Sequence, residues 1–108
     1  MKISVIVPIY HGKMYIQQMI KQIEAAAKEV DSEVELLLVN DDPQEVLDTN
    51  LSSSLIEIHV YNTEHNCGIH GARVKGLERS EGELVLFFDQ DDKMCPGYFK
   101  SQMDQIGS

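Results

Sequence analysis

Apolar and polar positions along this chain alternate between short dense runs and longer periodic stretches. Residues 3–7, Ile-Ser-Val-Ile-Val, are short and β-branched and predict a first strand. Pro8 is expected to end it, because proline donates nothing to a ladder. From Lys13 to Val30, the positions Met14, Ile16, Met19, Ile20, Ile23, Ala26, Ala27 and Val30 recur at spacings of three and four. That spacing predicts an amphipathic helix of about 18 residues, roughly 27 Å long. Met14 and Met19 are read as core filling. Val34-Glu35-Leu36-Leu37-Leu38-Val39 predicts a second strand, near-continuously apolar as in a sheet covered on both faces. Asn40-Asp41-Asp42-Pro43 is a turn by composition, and Gln44 to Leu51 is assigned a short helix. Leu55 to Tyr61 predicts a third strand, with Ile56, Ile58 and Val60 on one face. Asn62 to Asn66 is a polar loop. Gly68 to Ser80 predicts a helix, Leu84 to Phe88 a fourth strand, and Pro96 opens a last helix.

Strands alternating with helices predict an α/β domain with a mostly parallel sheet. In such sheets a ligand sits beyond the strand C-termini, where the strand order reverses. If strands one and four are neighbours, Tyr10-His11 and the loop Asp89-Gln90-Asp91-Asp92 face each other there. Asn40-Asp41-Asp42 closes a third side.

With 108 residues, the chain is read as one domain spanning 1–108. Its 43% apolar and 25% charged residues are ordinary for a globular domain. The formal charge of −9 argues against a nucleic-acid partner, since neutralising phosphates needs clustered Lys and Arg. The start lacks a small-residue cleavage site, and no apolar run reaches the roughly 18 residues of a membrane span. The expected location is cytoplasmic, with membrane association left to parts outside this chain. Two cysteines, Cys67 and Cys95, are too few for a disulfide scaffold. His65, Cys67, His70 and Cys95 have metal-ligand chemistry but no Cys-x₂-Cys pair, so a free thiol is the simpler reading.

Three carboxylates at the mouth of an apolar strand repel one another, and a hard divalent cation offsets that. An apolar strand ending in Asp-x-Asp also fits a phosphatase with Asp89 as nucleophile, or a solvated loop capping the next helix. Asn40-Asp41-Asp42 is either a turn or a set of acceptors for a base or ribose. Asn66-x-Gly68-x-x-Gly71-Ala72-Arg73 sets glycines and an arginine at a helix start, where anions are favoured. Arg73 could pair with a diphosphate or with the acidic loops. Tyr10 offers a stacking surface, and His11 is a base, a ligand or a surface residue.

Four segments together carry a resemblance: Ile3 to Tyr10 with Pro8, Leu38-Val39-Asn40-Asp41, Asn66-x-Gly68-x-x-x-Ala72-Arg73-x-x-Gly76, and Gly82 to Asp92 with Pro96. The chain resembles family 2 glycosyltransferases of the GT-A fold, a Rossmann-like nucleotide-diphospho-sugar transferase fold. The resemblance implies that Pro8 and Tyr10 line a base pocket and that Asp41 accepts from the base. It sets Asn66 and Arg73 near base and ribose, and Asp89 near the ribose or sugar. It assigns Mn²⁺ or Mg²⁺ to Asp91, with Asp89 and Asp92 in support. The implied donor is a UDP-sugar, the acceptor a glycan or lipid-linked sugar, and the outcome inversion. The pattern departs at His11, where Asn is usual, at Asp42-Pro43 in place of Gly-Ser, and at Val74 in place of Asn. A full domain of this kind is about twice as long. The chain is therefore expected to be a truncated, donor-binding N-terminal portion, inactive alone, with the catalytic base beyond Ser108. An uncovered sheet edge is expected to pair two copies as a homodimer. A non-catalytic nucleotide-binding or interaction module is the remaining alternative.

Overall fold

The computed structural model describes residues 2–89 and Phe99. Strand β1 (Lys2–Ile9) leads through a single 3₁₀ turn (Lys13–Tyr15) into helix α1 (Ile16–Ala27). Strands β2 (Glu33–Asn40) and β3 (Glu57–Asn62), helix α2 (Gly68–Arg79) and strand β4 (Leu84–Phe87) follow. The sheet order is β3-β2-β1-β4, and every pairing is parallel. The order reverses at β1, which places the switch point between β1 and β4 as the alternation of elements predicts.

Each face of the sheet follows the two-residue strand period. Ile3, Val5, Val7 and Ile9 point to one side, with Val34, Leu36, Leu38, Leu84 and Leu86. They pack with Ile16, Met19, Ile20, Ile23 and Ala26 of α1, and Phe99 is buried in the same cluster. Ile6 and Val39 point to the other side and meet α2. Gly76 makes that approach possible. A Cβ there would run into Ile6 Cγ2 and lie 3.3 Å from Val39 Cγ2.

Several differences from the sequence reading have identifiable physical causes. Pro8 does not end β1; it sits opposite Val39 in register. The Ile6 carbonyl accepts from Phe88 N–H, so alternation turns the backbone of Ile6 and Pro8 toward β4. Pairing with β4 stops at Ile6–Phe87, and the missing N–H of Pro8 falls beyond it. Helix α1 is shorter than expected at both ends, and Met14 is 79% exposed while Met19 is buried. Met14 lies in the 3₁₀ turn, whose tighter winding takes it out of phase with the α-helical stripe.

The segment Gln44–Leu51 forms no helix. Side chains take the backbone groups a helix would need. Asp42 Oδ1 accepts Gln44 N–H at 3.0 Å, and Asn40 Nδ2 donates to the Glu45 carbonyl at 2.6 Å. Asn62 accepts from Leu47 N–H and donates to the Leu47 carbonyl, at 2.9 and 3.1 Å. Asn62 therefore ends β3 rather than opening a free loop, and Leu55 and Ile56 lie outside the strand. The expected helix after Pro96 lies outside the described residues. Among those residues, no helix is long and apolar enough to cross a membrane.

Candidate functional site

The C-terminal ends of β1, β2 and β4 and the start of α2 surround a cavity of about 410 Å³, lined by Pro8, Ile9, Tyr10, Asp41, Asn66, Gly68, Ile69 and Asp89. That volume lies in the range of small-molecule sites. Pro8, Tyr10, Asp41, Asn66 and Asp89 were each singled out from sequence, and the fold brings all five to one cavity.

Asp41 is its anchor. It follows β2 directly and is buried. Its N–H donates to the Ile9 carbonyl at 2.7 Å, tying the ends of β1 and β2 together. Its Oδ1 accepts Cys67 N–H at 2.7 Å and the Thr63 hydroxyl at 3.4 Å. One carboxylate thereby fixes where α2 begins. Asn66 Oδ1 accepts Gly68 N–H at 3.0 Å, turning the chain into the helix. Gly68 has φ +76°, a left-handed conformation that glycine adopts without Cβ strain. The resulting N-terminus of α2 borders the cavity through Gly68 and Ile69, where backbone N–H groups and the helix dipole favour an anion.

Arg73, one turn into α2, reaches Asp89. Its Nη2 donates to Asp89 Oδ1 at 3.2 Å, and its guanidinium lies 5.7 Å from the Phe87 ring centroid. Arg73 Nε is sheltered and has no hydrogen-bond partner among the described residues. Of the two sequence readings of Arg73, the pairing with the acidic loop is the one the structure shows. It bridges to the acidic loop, and the bridge stands at the edge of the cavity.

Sequence reasoning missed Ile9 and Ile69 as lining residues. An isoleucine directly after Gly68 at the predicted helix start was the available signal for Ile69. Of Asn40, Asp41 and Asp42, Asp41 is the one that lines the cavity. Asn40 instead organises the loop after β2 through its amide, and Asp42 pairs with His11.

Asp89 offers a carboxylate suited to a hard cation. Asp91 and Asp92 lie outside the described residues. Among described residues, Glu35, Glu57 and His59 bring ligand atoms within 4.8 Å of one another. That group lies at the opposite end of the sheet, near the N-termini of β2 and β3. The Lys2 ammonium already supplies its cation, 3.2 Å from Glu57, 3.5 Å from Glu81 and 3.8 Å from Glu35. It is a structural cluster, remote from the cavity. Cys67 is an exposed free thiol.

The pattern of the family described as "Glycosyl transferase family 2" matches residues 4–108. The chain belongs to glycosyl transferase family 2. As a family 2 chain it is 31% identical over 104 residues to the minor teichoic acid biosynthesis protein GgaB of Bacillus subtilis strain 168, covering 94% of this chain and 11% of that protein. It is 27% identical over 93 residues to the undecaprenyl-phosphate 4-deoxy-4-formamido-L-arabinose transferase of Pseudomonas savastanoi pv. phaseolicola (strain 1448A / Race 6), covering 82% and 28%. Its structure matches the crystal structure of S. aureus TarS 1-349 in complex with UDP with a TM-score of 0.79 and 30% identity, covering 99% of this chain and 32% of that one. The fold is thus the GT-A α/β fold that the sequence pattern suggests. The chain spans about a third or less of the length of these family 2 relatives.

Proposed function

We propose that the chain is the donor-binding portion of a glycosyltransferase that uses a nucleoside-diphospho-sugar, with UDP as the carrier. The observation that carries this is the convergence of Tyr10, Asp41, Asn66, the start of α2 and the Arg73–Asp89 pair on one cavity. A UDP complex of a similar fold supports the choice of base. In this reading Pro8 and Tyr10 give the base an apolar and stacking wall, and Asp41 accepts from its imide N–H. Asn66 meets the ribose. The α2 N-terminus and Arg73 face the diphosphate. Asp89, with Asp91 and Asp92, would hold Mn²⁺ or Mg²⁺, whose charge neutralises the departing nucleoside diphosphate. Transfer to an acceptor hydroxyl proceeds with inversion and needs a general base within hydrogen-bond reach of that hydroxyl. In this reading the described cavity residues serve the donor and the metal, and the base comes from outside them. The names of the relatives, one a teichoic acid biosynthesis protein and one an undecaprenyl-phosphate transferase, favour a glycan or lipid-linked acceptor.

Calorimetric titration with UDP, GDP and TDP, with and without Mn²⁺, tests the reading. UDP should bind in the presence of Mn²⁺, and Asp91→Ala should abolish the metal-dependent part. No heat with any of the three would refute it. Pairing of two copies through the β4 edge belongs to the same proposal, supported by half-exposed Phe87 on a strand whose described partner is β1. A monodisperse monomer in light scattering at high concentration would exclude that pairing.

A further inference from the structure

His11 and Asp42 stand where the chain departs from the pattern it resembles, and they are bonded to each other. His11 Nδ1 lies 2.8 Å from Asp42 Oδ2. The Asp42 side chain is only 6% exposed, while that of His11 is 64% exposed. Asp42 is held from behind as well: its Oδ1 accepts Gln44 N–H at 3.0 Å, and its own N–H donates to Asn40 Oδ1 at 3.3 Å. The carboxylate is therefore a fixed acceptor, and it requires the His11 proton to sit on Nδ1. His11 has φ +52°, and it is the one described non-glycine residue with a positive φ. A side chain in that conformation is uncommon and persists where surrounding contacts over-determine it. Two such contacts are visible. One is the bond to Asp42. The other is Tyr10, whose ring centroid lies 3.9 Å from that of His11 with the planes tilted by 53°. Tyr10 in turn lines the cavity.

We propose that His11, clamped by Asp42, is a positioning residue that sets the ring of Tyr10 against the nucleobase of the donor. This rests on the reading of Tyr10 as the base-stacking wall. The bond to Asp42 holds His11 in its left-handed turn, the turn puts the imidazole against Tyr10, and the imidazole limits the tilt Tyr10 can take. The backbone strain at His11 is maintained for that contact.

The variant His11→Gly separates the two roles. Glycine accepts a positive φ without strain, so the turn survives while the ring and the Asp42 bond are lost. UDP affinity should fall about three- to tenfold, a fraction of what a full base–aromatic stack contributes. Calorimetry with UDP is run on the parent, His11→Gly, Tyr10→Ala and the double variant. Tyr10→Ala should weaken UDP more than His11→Gly. The double variant should bind no more weakly than Tyr10→Ala alone, since His11 acts through that ring. Weakened binding in Tyr10→Ala with parental affinity in His11→Gly overturns this inference and leaves the base pocket standing. So does an additive double variant. Parental affinity in Tyr10→Ala overturns the base-pocket reading, and this inference with it.

Discussion

Replacing Glu35 by alanine should loosen the sheet at the end opposite the cavity, and the size of the effect can be worked from its contacts. The Glu35 side chain is 1% exposed. Its Oε2 accepts the Ser4 hydroxyl at 2.5 Å and Glu81 N–H at 2.7 Å. The Ser4 oxygen also accepts Gly82 N–H at 2.8 Å. One carboxylate thus pins the loop between α2 and β4 onto the start of β1. Gly82 fits there because a Cβ would lie 2.7 Å from Ser4 N and 2.9 Å from the Lys2 carbonyl. Hydrogen bonds to a charged group contribute about 1.5–3 kcal/mol each. Against the two bonds stands the desolvation of the carboxylate, which alanine relieves; several kcal/mol is typical for a buried ion. The Lys2 ammonium, 3.8 Å away, offsets part of that penalty in the native chain. A net loss of about 2–4 kcal/mol remains, a large share of the roughly 5–15 kcal/mol of a typical domain. Urea titration followed by far-ultraviolet circular dichroism reads it as a lower midpoint at constant slope. Glu35→Gln should lose less, since the amide oxygen still accepts from Ser4 or Glu81. A midpoint for Glu35→Ala within error of the parent would refute the reasoning. It would mean that desolvation cancels both bonds, as happens for some buried ion pairs.

Gly76→Ala should cost about 1–3 kcal/mol, the usual penalty for overpacking, because the new methyl meets Ile6 and Val39 inside the α2–sheet contact; chemical denaturation measures it, and a neutral result would mean that α2 can slide. Asp41→Asn should keep the Cys67 N–H bond through its amide oxygen yet lose the charged acceptor for the base. UDP affinity should then fall roughly tenfold or more, given about 1.5–3 kcal/mol for a hydrogen bond to a charged group; parental affinity would remove Asp41 from the base site. The Lys2–Glu57 pair gives a pH signature. Glu57 is held below its ordinary value chiefly by the hydrogen bond from Lys2, so its contribution is present above pH 4.5 and fades as the pH falls through its lowered value. Lys2 is held above its ordinary value chiefly by that same bond, so its contribution is present below pH 10.5 and is lost as the pH rises through its raised value. In urea titrations Lys2→Met should flatten both flanks, and 1 M salt should shrink the difference, because Glu57 is half-exposed and screened. Identical acid flanks in parent and variant would dismiss the pair.

The hydrophobic pattern by itself determined the four strands, the helices after the first and third of them, the parallel sheet and the burial of Ile16, Met19, Ile20 and Ile23, because periods of two and 3.6 are local properties of a backbone. It also marked Tyr10, Asp41 and Asp89, since residues directly after apolar strands lie at the strand ends, while Pro8 and Asn66 came from the family resemblance. What it could not reach depends on partners distant in sequence. Gln44–Leu51 has helical residues, yet Asn40 and Asn62, brought together by the β2–β3 register, take its backbone groups. Pro8 stays within β1 because the neighbour on its donor side ends early. Glu35 reads as a polar interruption of a strand, and only the arrival of Ser4 and the loop before β4 makes it a buried pin. His11 and Asp42 are separate departures along the chain and become one feature where the ends of β1 and β2 meet. Short-range chemistry sets which residues can act; the tertiary structure sets which of them meet, because a hydrogen bond or ring contact requires a few ångströms that sequence separation does not encode.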